Sequence, residues 1–363
     1  MAPMRRLLSW SLVACCLAFF AVAPADAATR AYFISADEVL WNYAPSGANV
    51  LTGKPLRPPG PQEVGYRYKK AVYRAYIDAT FRARAPEPAY LGAVGPPIHA
   101  EVGDTIVVTF RNATHFPVSM HPHGVFYEKT SAGAQYVDGS ITGRTDGAVS
   151  SGRTIHYTWD VPERAGPGPM DGSSVLWMYH SHTHEVADVA AGLLGPIVVT
   201  RKGAAKDDGS PNDVDREVFT TLDMVDENQS TYFVDNFRTF VRDRAHVTAD
   251  MQNNPVSPFY ASNEIAAING YVFGNGPLIE LRRGERVRWY LVSGASDYFN
   301  YHTAHWHGMT GLASGMRMDM IELLPGSMKT IDFVPDNPGV WLFHCHVGPH
   351  LLGGMVTRFR VAP

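Results

Sequence analysis

Apolar and polar residues alternate in short runs through most of the chain. Gly95-Pro-Pro-Ile-His-Ala-Glu-Val-Gly-Asp104-Thr-Ile-Val-Val-Thr-Phe and Gly276-Pro-Leu-Ile-Glu-Leu-Arg-Arg-Gly284-Glu-Arg-Val-Arg-Trp-Tyr are typical. Runs rich in Val, Ile, Thr, Tyr and Phe, broken by Gly, Pro, Asn and Asp, predict strands of a half-buried sheet, and many of them predict a β-sandwich. Helical periodicity is sparse. The two runs also open the two copies of an internal repeat. In the first, a strand pair is followed by His121-Pro-His123-Gly124, then Trp177-Met-Tyr-His180-Ser-His182 and Gly192-Leu-Leu-Gly-Pro; in the second, by His305-Trp-His307-Gly308, then Trp341-Leu-Phe-His344-Cys345-His346 and Gly353-Gly-Met. A repeated module implies two sandwiches in tandem. Between them lies Lys202 to Asp215, polar and rich in turn formers, which reads as an interdomain linker. The boundaries expected are therefore 28–205 for the first domain, 206–216 for the linker and 217–363 for the second.

The one long apolar run is at the start. Arg5-Arg6 precedes Leu7 to Val22, and Ala25-Asp26-Ala27 precedes Ala28, which is the plan of a signal peptide over residues 1–27 and of an exported, periplasmic or secreted protein. Leu12-Val-Ala-Cys15 also matches a lipoprotein cleavage box, and Arg5-Arg6 is the pair used in twin-arginine export. The apolar run continues past Cys15, which favours cleavage after Ala27. Cys15 and Cys16 then leave with the leader, so Cys345 remains as a lone thiol with a chemical role in prospect. A net charge of −4 without basic clusters argues against a nucleic-acid partner, and no later segment is long and apolar enough for a membrane-spanning helix.

Cys345 stands between two histidines at the end of an apolar, aromatic strand. Because side chains alternate along a strand, His344 and His346 face one way and the thiol the other. A metal on the thiolate and metals on the imidazoles would thus be a few covalent bonds apart. A soft thiolate, two imidazoles and a weak axial thioether make a blue-copper site; Cys345, His350 and Met355 supply all but one imidazole. Of fifteen histidines, ten fall into four clusters: His121 and His123; His180 and His182; His302, His305 and His307; His344, His346 and His350. Clusters at matching places in both repeats point to metal ligation. His99, His115, His156, His184 and His246 have no such support.

The spacings H-x-H-G, H-x-H, H-x-x-H-x-H-G and H-C-H-x3-H-x4-M, in that order, resemble those of the multicopper oxidases. Glu38-Val-Leu-Trp-Asn-Tyr-Ala-Pro-Ser-Gly47, Tyr68 to Tyr76 and Asp223-Met-Val-Asp-Glu-Asn228 further resemble ceruloplasmin repeats, and the whole is similar to a bacterial two-domain multicopper oxidase, or small laccase. The resemblance implies an all-β fold of two cupredoxin-like Greek-key sandwiches and four coppers per chain. His302, Cys345, His350 and Met355 would hold the type 1 copper and His121 with His305 the type 2 copper. One type 3 copper would take His123, His180 and His346, and the other His182, His307 and His344. The positions matching the type 1 ligands in the first repeat are Val118, Ser181, Val186 and Ala191, so only the second domain has this site. A small reducing substrate would give electrons through Cys345 to His344 and His346, and O2 would be reduced to water. Two-domain relatives close first and second domains head to tail, which implies a homotrimer with interfacial clusters. Tyr127 matches a tyrosine near the cluster of small laccases, with Asp319 as its acidic partner.

For the substrate, ceruloplasmin-like proteins hold ferrous iron with carboxylates and a histidine beside the type 1 copper. The matching positions here are Ala261, Ala266 and Pro349, so the expectation is an open edge that oxidises phenols and other small aromatic donors. Glu264 and Asp297 leave an alternative iron site open, and Met309, Met316, Met318 and Met320 a cuprous one, since thioethers suit Cu(I). A non-catalytic copper-binding protein is the remaining alternative; eight cluster ligands exceed what simple binding needs.

Overall fold

The computed structural model describes residues 27–136, 146–297 and 299–363. The leader expected at residues 1–27 lies, but for Ala27, outside the described residues. The first half comprises β1 (Thr29–Asn42), β2 (Arg67–Tyr76), β3 (Ile98–Glu101), β4 (Thr105–Asn112), β5 (His121–Pro122), β6 (Phe126–Tyr127), β7 (Thr154–Asp160), β8 (Ser174–His180), the helix α1 (Glu185–Ala191) and β9 (Leu194–Thr200). One sheet has the order β2-β1-β4-β7-β6 and the other β3-β9-β8-β5. The alternation read from the sequence is literal in β7, where Tyr157 and Trp159 are buried and their neighbours face outward. Those two rings meet Ile34, Val108 and Phe110 from one sheet and Ile98, Tyr179 and Ile197 from the other in a single core.

The second half repeats this plan. It runs β10 (Arg216–Asp226), α2 (Phe233–Phe240), α3 (Ala249–Asn253), α4 (Pro258–Ala261), β11 (Glu264–Ile268), β12 (Ile279–Arg282), β13 (Val287–Ser293), β14 (His302–Trp306), β15 (Gly311–Ala313), β16 (Met316–Met318), β17 (Met320–Leu323), β18 (Met328–Phe333), β19 (Gly339–Cys345), α5 (Gly348–Leu352) and β20 (Val356–Ala362). Its sheets have the orders β11-β10-β13-β18-β15-β16 and β12-β20-β19-β14-β17. β1 pairs parallel with β4 as β10 does with β13, and β3 pairs parallel with β9 as β12 does with β20. Packed rings fill the core: Trp289 and Trp306 each lie 5.0 Å from Phe343, centroid to centroid. Two sandwiches of this topology agree with the cupredoxin-like expectation.

Two features add to the sequence reading. Lys202 to Asp215, read as the linker, is ordered: its turn is closed by Lys206 N–H donating to Ser210 O at 2.7 Å, and Thr200 Oγ1 donates to Gly209 O at 2.8 Å. Helices α2 to α4 also escaped a reading that found helical periodicity sparse. They are short, and they are held by packing of Phe237, Val241, Val247 and Phe259 against Tyr43, Val64 and Tyr68 of the first half. Tertiary burial, rather than helix propensity, stabilises such short pieces. A second apolar cluster joins Leu176, Met178 and Leu194 to Phe219, Tyr290 and Val292, so the domains share a continuous seam. Buried in that seam, the Lys70 ammonium of β2 pairs with Glu227 just beyond β10, and Tyr43 donates to the same carboxylate at 2.6 Å.

Candidate metal centres

β19 ends in Cys345, whose side chain points into the second core and is fully buried. The strand pairs with β14 so that Cys345 lies opposite Ala304 and His344 opposite His305. His302 enters at the start of β14, and α5 folds the chain back to present His350. The Cys345 Sγ is 3.7 Å from His302 Nδ1 and 3.6 Å from His350 Nδ1. Met355 is fully buried, and its backbone closes the loop: Met355 N–H donates to His350 O at 3.0 Å and Cys345 N–H to Met355 O at 3.1 Å. Burial pushes the Cys345 thiol up and the His302 imidazole down to about 3. The histidine is therefore neutral, with a free lone pair, while the thiol needs a cation beside it to ionise. One soft donor and two imidazoles around one point, with a buried thioether nearby, fit copper.

The other eight histidines form two quartets. In the first domain, His123 Nε2 faces His180 Nε2 at 3.0 Å, and the ring of His121 lies 5.1 Å from that of His182. In the second, His344 Nε2 is 3.0 Å from His307 Nε2 and 3.3 Å from His305 Nδ1, with the His346 ring 5.4 Å from that of His305. Backbone carbonyls hold the far nitrogens. His121 Nδ1–H donates to Ala132 O at 2.5 Å, His180 Nδ1–H to Ser181 O at 3.0 Å and His344 Nδ1–H to Cys345 O at 2.9 Å. Each of these three rings thereby turns an unprotonated Nε2 toward its quartet, the usual way a protein orients a metal-binding imidazole. Burial pushes His121 and His123 down to about 4, so both are neutral at ordinary pH. The glycine after each H-x-H has a space reason. Gly124 and Gly308 take φ of 78° and 75°, and a Cβ there would meet Trp177 at 2.3 Å or Trp341 at 2.8 Å.

Among the described residues, no hydrogen bond or ring contact joins a histidine of one quartet to the other. The expected pairings of His121 with His305, of His123 and His180 with His346, and of His182 with His307 and His344 therefore have no direct contact among the described residues. Tyr127 stands by the first quartet, its ring 5.6 Å from His121, whereas Asp319 Oδ2 lies 3.7 Å from His305 Nε2 in the second. The two residues expected as partners thus stand by different quartets. Sequence reasoning missed Glu185, whose Oε2 is 3.4 Å from His182 Nε2 and whose Oε1 is 3.8 Å from His180 Nε2. The signal was its place three residues past His182 at the start of α1. The five unassigned histidines stay outside the quartets; His99, for example, contacts Glu217 at 3.0 Å.

Asp226 was missed too. It pairs in register with Glu264 across β10 and β11, and Tyr260 donates to it at 2.6 Å. Burial, then the charges of Asp226 and Asp297, push the Glu264 carboxyl up to about 7. This acidic group borders the thiol site. Glu264 shares a strand face with Ala266, which packs against Gly353 between His350 and Met355, and Asp297 O accepts from Asn300 N–H just before His302.

Two family models, both described as multicopper oxidase, match this sequence over residues 92–204 and 241–363. The chain belongs to the multicopper oxidase family. Human Ferroxidase HEPHL1 is 39% identical over 344 residues, covering 92% of this chain and 29% of the relative. Human Hephaestin is 37% identical over 348 residues and human Ceruloplasmin 35% over 350, each covering 93% or 92% of this multicopper oxidase chain and 30% or 32% of the relative. The chain thus spans under a third of the length of these curated relatives. Two solved structures, a multicopper oxidase and Multicopper Oxidase mgLAC, share its fold with a TM-score of 0.58 each, at 18% and 19% identity. They cover 92% of this chain, and it covers 89% and 86% of theirs. The family implies copper as resident metal, and the donor sets described above fit it.

Proposed function

We propose that the protein is a copper-dependent oxidase that withdraws single electrons from a metal ion, ferrous iron first, and delivers them to dioxygen. The observation that carries this is the placement of Cys345, whose thiol faces His302 and His350 while its chain neighbours His344 and His346 belong to a histidine quartet. Bound copper would supply one-electron oxidation at Cys345 and four-electron reduction of dioxygen to water at the quartets, with one type 1, one type 2 and two type 3 ions per chain. The chain's own part is to keep the imidazoles neutral by burial, to aim them through backbone carbonyls, and to join the two centres through the covalent bonds of Cys345 and its neighbours.

The metal-ion reading displaces the phenol reading for two reasons. A relative of 39% identity is named a ferroxidase. The carboxylates missing at Ala261, Ala266 and Pro349 have a substitute in the same neighbourhood, because Glu264 lies on the strand face that borders the thiol site, within reach of the Asp297 charge, and both offer hard oxygen donors. Against this stands the exposed apolar edge of Leu351 and Leu352 next to His350, which suits an aromatic donor. Oxygen uptake by the copper-loaded protein, compared between ferrous iron, cuprous ion and dimethoxyphenol in one buffer, decides the matter. Preference for ferrous iron supports the proposal, and preference for the phenol reverses it.

The active assembly is a homotrimer exported from the cytoplasm. Each chain carries one quartet on each domain and, among the described residues, no hydrogen bond or ring contact joins them, which favours a neighbour's first domain meeting its second. A closed head-to-tail ring leaves no half-site open. Three copies also match the length of relatives of which one copy spans 29–32%. Sedimentation showing a fully copper-loaded monomer would refute this assembly.

A further inference from the structure

Glu185 opens α1 three residues past His182, and its side chain is 48% exposed. Water is open to it, yet both oxygens turn toward the first-domain quartet. Oε1 lies 3.8 Å from His180 Nε2 and Oε2 lies 3.4 Å from His182 Nε2. The first of these contacts is no hydrogen bond. His180 gives its Nδ1–H to Ser181 O at 3.0 Å and burial pushes its imidazole down, so Nε2 carries only a lone pair. A carboxylate oxygen and an imidazole lone pair repel each other unless a cation stands between them.

The spacings suit such a cation. Two donors bound about 2.1 Å from one ion stand about 3.0 to 3.8 Å apart as the angle between them opens from about 90° to about 130°. Each oxygen of Glu185 keeps such a distance from a different histidine, and the rings of His180 and His182 are themselves 5.7 Å apart, centroid to centroid. The carboxylate therefore faces two ion positions, one beside each ring. Charge points the same way. Imidazoles are neutral ligands, so ions held by the quartets alone would bring their full charge into a partly buried site. Glu185 supplies an anion on the first-domain side, whereas the residue three past His346 is Pro349, whose side chain has no donor to give.

We propose that Glu185 is itself a metal ligand, giving Oε1 to the ion that His180 binds and Oε2 to the ion that His182 binds, and so bridging the two. This rests on the reading of the histidine quartets as copper sites. A carboxylate is a harder donor than an imidazole, and a mixed set of nitrogen and oxygen donors suits the cupric state. Glu185 thereby fastens copper to the first-domain quartet and favours its oxidised form.

The test compares Glu185→Gln and Glu185→Asp with the unmutated, copper-loaded full chain, read by the copper retained during dialysis against EDTA and by electron paramagnetic resonance rather than by turnover. Gln keeps the size and loses the charge; Asp keeps the charge and draws the oxygens back by one methylene. Both variants are expected to lose histidine-bound copper about tenfold faster or more, the scale of a lost partner at a metal site. Both should also change the resonance of the copper that remains, while the thiolate charge-transfer band of Cys345 stays. Full retention in Glu185→Asp, with loss confined to Glu185→Gln, would show a nearby charge rather than a ligand and overturn the proposal. Retention and resonance unmoved in both variants, with only turnover or melting temperature altered, would overturn it as well. Failure of the unmutated protein to hold copper beyond the Cys345 site would instead defeat the reading of the quartets beneath it.

Discussion

The ends of β8 and β19 are the same piece of architecture with opposite chemistry. Each strand delivers two histidines to a quartet, and each is followed by a short helix, α1 or α5, that folds back over the sandwich. Between the histidines the second domain has Cys345, and the first has Ser181. Ser181 Oγ donates to Asp188 Oδ2 at 2.6 Å, and Thr231, from the second half, donates to Asp188 Oδ1 at 3.0 Å. Val118 and Ala191, at two other ligand positions, are simply buried apolar residues. Where one copy of the fold holds a redox site, the other holds a hydrogen-bonded clasp across the domain seam. The fold dictates where the side chains converge; what converges there decides between electron transfer and cohesion.

The largest effect should come from the redox side. Cys345→Ser is expected to abolish oxygen uptake with every donor and remove the charge-transfer band, while histidine-bound copper stays near normal by metal analysis. Persistent uptake would remove Cys345 from the electron path. Next is the acidic group beside that site. Glu264→Gln should raise the KM for ferrous iron by about tenfold, the scale of one lost charged ligand contact of about 1.4 kcal/mol, and leave phenol oxidation unaffected. Because the carboxyl is raised to about 7, it is protonated and unable to hold a cation below that pH. Ferrous oxidation, corrected for the uncatalysed rate, should therefore fall as pH drops from about 8 to about 6, and the variant should lose that limb.

The smallest effect belongs to the clasp. Ser181→Ala removes the hydroxyl from the buried Asp188 and should cost about 1–3 kcal/mol in chemical denaturation, without moving the absorption band. Burial already raises the Asp188 carboxyl. A changed band in Ser181→Ala would mean that the first domain shapes the redox site directly, contrary to the contrast drawn between the two strands.

The two sandwiches, their repeat and the members of both quartets were legible because they are local signals. Alternation along β19 fixes opposite faces for Cys345 and His344, and H-x-H-G needs its glycine wherever a tryptophan from the neighbouring strand lies across it. The residues that escaped are brought in by long-range pairing. Asp226 meets Glu264 only through the register of β10 with β11. Helices α2 to α4 escaped for the same reason, as their apolar residues pack against a distant part of the chain. Whether the two quartets of one chain touch is a matter of domain placement, which no motif encodes.

The central claim is that each cluster is built by two chains, and complementation tests it most directly. His123→Ala breaks the first-domain quartet and His307→Ala the second-domain quartet; each variant alone should lack cluster copper and oxygen uptake. Co-expressed, they form mixed rings in which the intact first domain of one chain meets the intact second domain of the other. The account predicts partial recovery of both copper and uptake in the mixed trimers. No recovery, with mixed trimers shown to form, would place each cluster within a single chain and contradict it.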